Sequence, residues 1–427
     1  ERRRPGGGKL MRTLFRVLAG LVLLGVIVAV VIFFGFTGAG PVPPASRDLE
    51  ALDEEARAEM VALGEYVAKA GDCAACHESE DGLALAGGTP METPMGTVYG
   101  TNITPSETHG IGDYSPDDLY RAMVYGIAPG ERRLYPAMPY TSYHAVSRED
   151  IDALYVYLMA QDPVEKPNRD ADMVFPFNIR PLVAFWNLIY RPDPPEEPGP
   201  GLSGGDRLAD TGRGAYLVDV LGHCGECHTP RNLAFAKTGE HLGGTVIEGA
   251  VAPDITPQGL AGRGWTEADL SQFLSTGLSP QGVMTFRMFP VLSHSTKYLP
   301  ERDIEAVSAY LAQDMPEPSE PPSDPDAIDA HPEGHRLYVG LCAGCHGTNG
   351  SGQPSGSVAM VGNTTLMLDN PLNLQRVIRE GIPARQLSGH LRMQEMPAFD
   401  ATLAEAELED LSGYLRARWG AEAMQDE

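Results

Sequence analysis

The sequence predicts an all-α protein in which three tandem copies of one small domain follow an N-terminal transmembrane helix. Three observations support this prediction. The pattern Cys-x-x-Cys-His occurs at residues 73–77, 224–228 and 342–346. After each motif comes a helical pattern that begins with an acidic residue and Ile or Leu and ends with Tyr-Leu. An uncharged apolar stretch at residues 17–36 precedes all three copies.

The Cys-x-x-Cys-His pattern is typical of covalent haem attachment. Two thiols one helical turn apart can add to the vinyl groups of one porphyrin, and the adjacent imidazole can then bind iron. A zinc knuckle or a redox dithiol is the alternative for a single copy. The three motifs contain all six cysteines of the chain, and isolated pairs lack the four ligands that zinc usually needs. We therefore predict three covalently bound haem c groups. The predicted attachment residues and proximal iron ligands are Cys73, Cys76 and His77, then Cys224, Cys227 and His228, then Cys342, Cys345 and His346.

Length and charge limit the possible functions. The chain has 427 residues, which suits about three domains of 100 to 150 residues. Its formal net charge of −26 argues against nucleic acid as a partner, because nucleic-acid binding needs clustered Lys and Arg. An acidic surface instead suits electrostatic steering toward a basic redox partner.

The apolar stretch at residues 17–36 is long enough, as a helix, to cross a bilayer core of about 30 Å. Six Lys or Arg residues lie within residues 1–16, so the positive-inside rule places the rest of the chain outside the cytoplasm. We predict that residues 1–47 form a basic N-terminus and a single-pass anchor in the cell inner membrane, with the globular part in the periplasm. A cleaved signal peptide is the alternative, because residues 37–39 are small.

The repeats set the predicted domain boundaries. The first unit has a helix over residues 54–70 and a closing helix over 148–161, and its loop at 102–105 (Asn-Ile-Thr-Pro) matches 254–257 (Asp-Ile-Thr-Pro) in the second. Breaker-rich segments separate the units. The predicted division is domain 1 at 48–165, an apolar segment and Pro/Gly linker at 166–206, domain 2 at 207–316, a Pro/acidic linker at 317–329, and domain 3 at 330–427.

Haem iron with one histidine needs a sixth ligand, and electron-transfer cytochromes c commonly use methionine. Met138 and Met396 each precede a proline, which breaks helix and favours the loop conformation that a ligand needs. They are the predicted distal ligands of the first and third units. His390 and Met393 are weaker candidates in the third unit, and a role as core filler is the alternative for each methionine.

Two methionines compete in the second unit. Met288 is favoured over Met284 because His294 follows Met288 by six residues, as His144 follows Met138. His144 and His294 could themselves be distal ligands. The third unit has no histidine at this position, so a common mechanism favours methionine in all three units.

These motifs, together with the Cys-His-Thr-Pro-Arg-Asn run at 227–232, resemble the tri-haem cytochrome c subunits of membrane-bound bacterial dehydrogenases for alcohols, aldehydes and gluconate. The resemblance covers roughly residues 48–427. It implies three class I cytochrome c-like domains. It also implies a separate dehydrogenase catalytic subunit as electron donor, and ubiquinone or a terminal oxidase as acceptor. The sequence Met-Phe-Pro at 288–290 departs from the family, in which a small and then an acidic residue often follow the methionine.

We therefore interpret the chain as an electron-transfer subunit and not as the catalytic subunit of a dehydrogenase. Its sequence has no nucleotide-binding glycine motif and no nucleophile triad, and we predict no catalytic residues. One alternative is a haem enzyme of the di-haem peroxidase type, in which one iron would be five-coordinate. A second is a cytochrome c subunit of a terminal oxidase.

One apolar, aromatic run at residues 175–190 lies outside the haem repeats. It is too short to span a bilayer, which needs about 20 residues, and too apolar to lie bare on an acidic surface. It could pack on the first unit, on a dehydrogenase partner, or in the membrane interface, where Trp and Tyr are favoured.

Overall fold

The computed structural model describes residues 7–35, 38–196, 199, 201–202, 210–354 and 356–420. Residues 36 and 37, which hold the end of the predicted span and the start of the candidate cleavage site, lie outside this part of the chain. So do several residues of the first predicted linker and the C-terminal residues 421–427.

The N-terminal helix α1 covers Gly7–Gly35, and its segment Met11–Val31 is long and apolar enough to cross a membrane. None of the most apolar window of this segment is buried against the rest of the protein. A signal sequence near the N-terminus would have the same length and composition. The helix therefore agrees with the predicted span without deciding between an anchor and a cleaved signal.

The first unit and the segment that follows it are mainly helical. The helix at residues 54–70 is confirmed, and the closing helix ends two residues earlier than predicted. Its helices are α2 (Glu54–Ala70), α3 (Cys73–His77), α4 (Pro116–Tyr120), α5 (Tyr140–Tyr143), α6 (Arg148–Met159) and α7 (Val183–Tyr190). Its strands are β1 (Pro90–Thr93), β2 (Gly96–Tyr99), β3 (Ile127–Ala128), β4 (Arg132–Arg133) and β5 (Asp172–Met173).

The segments predicted as the second and third units are also mainly helical. The helices of the second are α8 (Asp210–Ala215, continued as a π-helix over Tyr216–Leu221), α9 (Gly225–His228), α10 (Pro257–Gly262), α11 (Glu267–Thr276), α12 (Met288–Pro290) and α13 (Glu301–Leu311). Those of the third are α14 (Ala327–Ala330), α15 (Pro332–Leu341), α16 (Ala343–His346), α17 (Thr364–Met367), α18 (Leu372–Glu380) and α19 (Glu405–Trp419).

Short antiparallel strands accompany the helices, which an all-α prediction does not include. In the second and third units they are β6 (Thr245–Ile247), β7 (Ala250–Ala252), β8 (Leu278–Ser279), β9 (Gly282–Val283), β10 (Arg385–Gln386) and β11 (Arg392–Met393). Each pairs with its neighbour in a hairpin, and β5 adds a third strand to the β1–β2 pair. These strands have two to four residues, so they shape loops and contribute little to the core.

A tightly packed pair of helices organises each unit. α2 packs on α6, α8 on α13, and α15 on α19. A glycine lies at each crossing, where an added Cβ would come within 2.0–2.2 Å of a carbonyl oxygen on the partner helix. Only glycine permits this approach, since such a distance is far inside van der Waals contact. The pairs in contact are Gly64 with Ala153, Gly214 with Ala306, and Gly334 with Asp410.

The first two units share one hydrophobic core. A continuous cluster of buried side chains runs from Val67 to Leu311 and includes residues of both units. Two reciprocal hydrogen bonds join the units: the hydroxyl of Tyr66 donates to Asp303, and the hydroxyl of Tyr216 donates to Asp150 over 2.7 Å. Both carboxylates are fully buried, so these bonds satisfy charges that water does not reach.

The third unit has its own core, centred on the buried rings of Tyr338, Tyr414 and Trp419. It contacts the second unit through a small apolar cluster, in which Leu387 meets Met284 and Leu292, and through polar groups. The side-chain amide of Asn373 exchanges two hydrogen bonds of 2.8 Å with the backbone of Val251. The third unit is therefore attached to the second by a contact more polar than the one that joins the first two.

The segment after the first unit folds back onto that unit. β5 pairs with β2, and α7 lies against Tyr140 through Asn187, whose side-chain oxygen accepts from the tyrosine hydroxyl over 2.7 Å. Farther along, Leu202 donates its backbone N–H to Asp150 over 3.0 Å. Much of the predicted linker is thus packed, because its apolar residues find buried partners on the first unit.

The glycine at the crossing of α15 and α19 gives a test of the helix-pair packing. We expect Gly334→Ala to destabilise the third unit by about 1–3 kcal/mol, because the new methyl group must push the helices apart. Gly340 lies in the same helix with nothing within 4 Å of an added Cβ, so Gly340→Ala is the matched control. The control should be neutral or gain about 0.5–1 kcal/mol.

Hydrogen exchange read by mass spectrometry on the peptides of α15 and α19 in the full chain measures both variants. Faster exchange in Gly334→Ala alone is the expected result. Equal exchange in the two variants would show that the crossing tolerates a side chain.

Candidate functional site

The three Cys-x-x-Cys-His motifs adopt the same local structure. Each forms one turn of helix (α3, α9 and α16) directly after the first helix of its packed pair. In the second and third motifs the histidine N–H donates to the carbonyl of the first cysteine, over 2.9 Å in both. One helical turn places the two thiols on one side, as attachment to one porphyrin requires.

The six cysteines are unpaired thiols in the structure. Burial raises the pKa of Cys73 and of Cys224 to about 12, and that of Cys342 to about 11. These thiols are therefore neutral at pH 7, and neutral thiols are slow to exchange disulfides. Such a state keeps these three cysteines available for thioether formation.

A backbone carbonyl orients each motif histidine. The ring Nδ1 atoms lie 2.6–2.9 Å from carbonyl oxygens, which can only accept, so Nδ1 carries the proton. The pairs are His77 with Thr101, His228 with Pro253, and His346 with Val358. The lone pair is thereby placed on Nε2, the atom that a haem iron would bind.

Burial also lowers the pKa of all three histidines, which keeps the imidazoles neutral as metal ligation requires. Neutral rings with a fixed tautomer, each beside two free thiols, fit haem c at all three motifs. The sequence prediction identified the histidines but missed the carbonyls that orient them.

The repeated loops of the sequence could have predicted two of these carbonyls. Thr101 directly precedes the loop at 102–105, and Pro253 directly precedes the loop at 254–257. In the first loop the side chain of Asn102 accepts from the N–H of Thr104 over 2.9 Å. In the second, Asp254 accepts from the N–H two residues later over 2.7 Å. Both loops are rigid Asx turns, which hold the preceding carbonyl in place.

Two predicted methionine ligands pack against hydrophobic clusters that a cysteine of their own motif also contacts. Met138 packs against the core cluster that also contains Cys73, and Met396 packs against the cluster that contains Cys342. Met138 lies in a turn before α5, and Met396 forms a bridge with Ile382 in a loop. Each side chain is partly buried in its unit.

The second unit differs. Met284 and Met288 lie together in a small cluster with Leu387 and Met393 of the third unit, and neither cysteine of the second motif belongs to that cluster. Met284 is 1% exposed. Met284 and Met288 therefore share no cluster with a cysteine of the second motif, although Arg287 beside Met288 interacts with Cys227.

Hairpin geometry relates the two candidates to the first unit. The N–H of Met284 donates to the carbonyl of Gly277 over 2.9 Å, and the N–H of Leu134 donates to the carbonyl of Gly126 over 2.8 Å. Met284 thus occupies the position of Leu134, which is partly buried. Four residues later along each chain, Met288 occupies the position that Met138 has in the first unit.

The histidines that compete as distal ligands make contacts with other parts of the protein or with solvent. Nδ1 of His144 is 3.1 Å from the carbonyl of Thr141, and Nδ1 of His294 is 3.3 Å from a carboxylate oxygen of Glu78 in the first unit. His390 is exposed at the surface of the third unit. His294 therefore faces the neighbouring unit, where Glu78 follows the first motif.

The first and second motifs are close neighbours. The thiols of Cys76 and Cys227 interact electrostatically, and Arg287 interacts with both while donating to the carbonyl of Pro90 over 2.7 Å. Glu248, also of the second unit, pairs with Arg287. Two groups attached at these motifs would have neighbouring edges.

The motif of the second unit is also tied to the first by Glu226. Its carboxylate accepts from Ser142 over 2.8 Å and pairs with Lys237 and Arg231 over 2.7 Å each. Burial alone would raise the pKa of this carboxyl, but the two cations hold it at about 2. Arg231 belongs to the run at 227–232 that the sequence analysis identified.

Comparison with known proteins agrees with this geometry. Residues 332–419 match the model of the cytochrome c family. The chain is 37% identical to the gluconate 2-dehydrogenase cytochrome c subunit of Pantoea cypripedii, over 86% of this chain and 87% of that protein. It is 35% identical to the fructose dehydrogenase cytochrome subunit of Gluconobacter japonicus, over 88% of this chain and 82% of that protein.

A third relative is much longer than this chain. One of the nicotinate dehydrogenase subunits of Pseudomonas putida is 41% identical over 86% of this chain, which spans only 31% of that protein. Identity of this extent with several cytochrome subunits shows that the chain has a cytochrome c domain. The family implies covalently bound haem c. The chain belongs to the cytochrome c subunits of membrane-bound bacterial dehydrogenases.

Proposed function

We propose that this chain is a membrane-anchored tri-haem cytochrome c that passes electrons from a periplasmic dehydrogenase catalytic subunit to ubiquinone or a terminal oxidase. The observation that carries the proposal is the threefold repetition of one local geometry. Each motif presents two free thiols and a histidine whose Nδ1 lies against a backbone carbonyl. The names of the relatives support the donor, since they are cytochrome subunits of dehydrogenases.

Each unit would hold one haem c through its own residues. In the first, Cys73 and Cys76 would attach the porphyrin, and His77 and Met138 would be the iron ligands. The corresponding residues are Cys224, Cys227, His228 and Met288 in the second unit, and Cys342, Cys345, His346 and Met396 in the third. When bound, haem c supplies a one-electron Fe(III)/Fe(II) couple.

The rest of each unit keeps these ligands in place. The helix pair positions the motif, and the loop carbonyl orients the imidazole. Ligands that are held in advance need little rearrangement when the charge on the iron changes, which favours fast electron transfer. Two ligands from the protein also leave no open position for peroxide or oxygen.

The approach of the first two motifs supports a relay within the chain. The thiols of Cys76 and Cys227 are close enough to interact electrostatically. Two reciprocal Tyr–Asp hydrogen bonds also join the two units. The third unit contacts the second through Asn373 and through Thr364, which accepts from the indole of Trp265 over 2.9 Å. The first unit is thus joined to the second, and the second to the third.

Helix α1 would place the relay at the periplasmic face of the inner membrane. Its apolar segment suits a single span, and the basic residues before it favour a cytoplasmic N-terminus. Purification of the chain from native membranes tests the proposed donor. A co-purifying dehydrogenase subunit should reduce the ferric chain when its substrate is added, and an oxidised chain after complete turnover of the substrate would contradict the proposal.

Cyanide and peroxide test the ligation. The ferric spectrum of the isolated chain should not change with either reagent, because all iron positions are filled. A stoichiometric spectral change would instead indicate a five-coordinate iron and a haem enzyme.

The number of attachment sites gives a direct prediction. We expect three haems per chain in the reduced pyridine spectrum of the denatured protein, because six thiols form three pairs. Cys227→Ala together with Cys224→Ala should lower this to two without affecting the other attachment sites. A wild-type value of two would contradict the prediction.

The identity of the methionine ligand in the second unit gives another testable prediction. Met288→Ala should remove about one third of the methionine-to-iron charge-transfer absorbance of the ferric protein, because Met288 corresponds to Met138. Met284→Ala is the control: it should cost stability by cavity formation, about 2–5 kcal/mol, while the band is retained. The opposite pattern would assign the ligand to Met284, and a wild-type bis-histidine spectrum would favour His294.

A further inference from the structure

The apolar run that the repeats do not explain is partly exposed at the surface of the first unit. Eight apolar side chains around α7 are 40–105% exposed. They are Val174, Phe175, Phe177, Ile179, Leu182, Leu188, Ile189 and Leu233, and we call this set the apolar ledge. An exposed apolar patch of this kind usually marks a contact with a membrane or with another molecule.

The ledge is a fixed feature and not a loosely packed segment. One face of α7 is buried through Val183, Ala184 and Asn187, so the opposite face must point outward. The indole N–H of Trp186 donates to the carbonyl of Ala234 over 2.9 Å, which ties Leu233 of the second unit to the same surface. Packing on the first unit therefore accounts for only half of the run.

The ledge is continuous with the base of the transmembrane helix. α7 contacts α1 directly. Beyond α1, Arg191 at the end of α7 donates to the carbonyl of Gly38 over 3.3 Å, and the hydroxyl of Tyr125 donates to the carbonyl of Pro41 over 2.8 Å. The chain that leaves α1 is thus bonded to the unit that carries the ledge.

Cationic and aromatic residues lie beside the ledge. Arg132, Arg133, Arg180 and Arg191 interact with one another in two pairs, and the acidic groups among them are Glu131, Asp170 and Asp193. Arg133 is only 4% exposed, so the arginines that can face outward are Arg132, Arg180 and Arg191. Arg180 also stacks over the ring of Tyr135 at 4.5 Å. Arg and Tyr beside exposed apolar side chains are typical of the interface between lipid headgroups and acyl chains.

We propose that the apolar ledge lies in the interfacial layer of the bilayer and forms a second membrane contact beside α1. The occupant is lipid, because the ledge adjoins a helix suited to span the membrane and its arginines suit anionic phosphates. This inference rests on the proposed role of α1 as an anchor. A helix alone would leave the globular part free to rotate, whereas a second contact fixes the orientation of the first two units toward the membrane.

Photo-crosslinking in native membranes tests the proposal. Benzoylphenylalanine replaces Ile189, which is 69% exposed, in the full haem-loaded chain. Val339 is 48% exposed on α15 of the third unit and serves as the matched control position. A second variant at Phe175, 78% exposed, guards against a folding defect at residue 189.

After irradiation, peptides from positions 189 and 175 should carry the mass of one phospholipid, and the peptide from position 339 should not. Crosslinks from the ledge to another protein chain would show that a partner covers it, and absence of any adduct from an intact chain would show that it faces water. Either outcome overturns the inference. Haem content and reduction by the co-purified dehydrogenase, measured on the same samples, report separately on the proposed function.

Discussion

The close crossing of two helices at a glycine is the contact on which each unit depends. At Gly64, Gly214 and Gly334 the first helix touches the backbone of the last, and the Cys-x-x-Cys-His turn begins within about ten residues. The motif therefore has a fixed position relative to the closing helix. A larger residue at the crossing would shift the motif away from the loops that complete the site, so packing and ligand geometry have one cause.

The orientation of the histidines follows from this frame. Once the motif is fixed, a carbonyl on a separate loop can select the Nδ1–H tautomer, and burial can keep the ring neutral. The Asx turns at Asn102 and Asp254 serve this purpose in the first two units. The third unit uses Val358, which lies in a different loop, so the same interaction is reached by another route.

The first two units share one large core, and the third is joined to the second by a smaller apolar cluster and by polar contacts. Reciprocal Tyr–Asp bonds and a common core hold the pair, and its motifs lie side by side across Arg287. The apolar ledge belongs to this pair and adjoins α1. A protein that relays electrons beside a membrane gains from such rigidity, because the distance between neighbouring redox groups then stays constant.

The sequence by itself determined the features that depend on short spacings. These are the Cys and His residues of the three motifs, the helix at residues 54–70, the apolar N-terminal helix and the family resemblance. Only the tertiary structure decided which carbonyls orient the histidines, where Met284 and Met288 lie, and how residues 166–202 pack. The physical reason is separation along the chain: a helical turn is specified by neighbours, whereas Tyr66 meets Asp303 across 237 residues, and that contact depends on how both units fold.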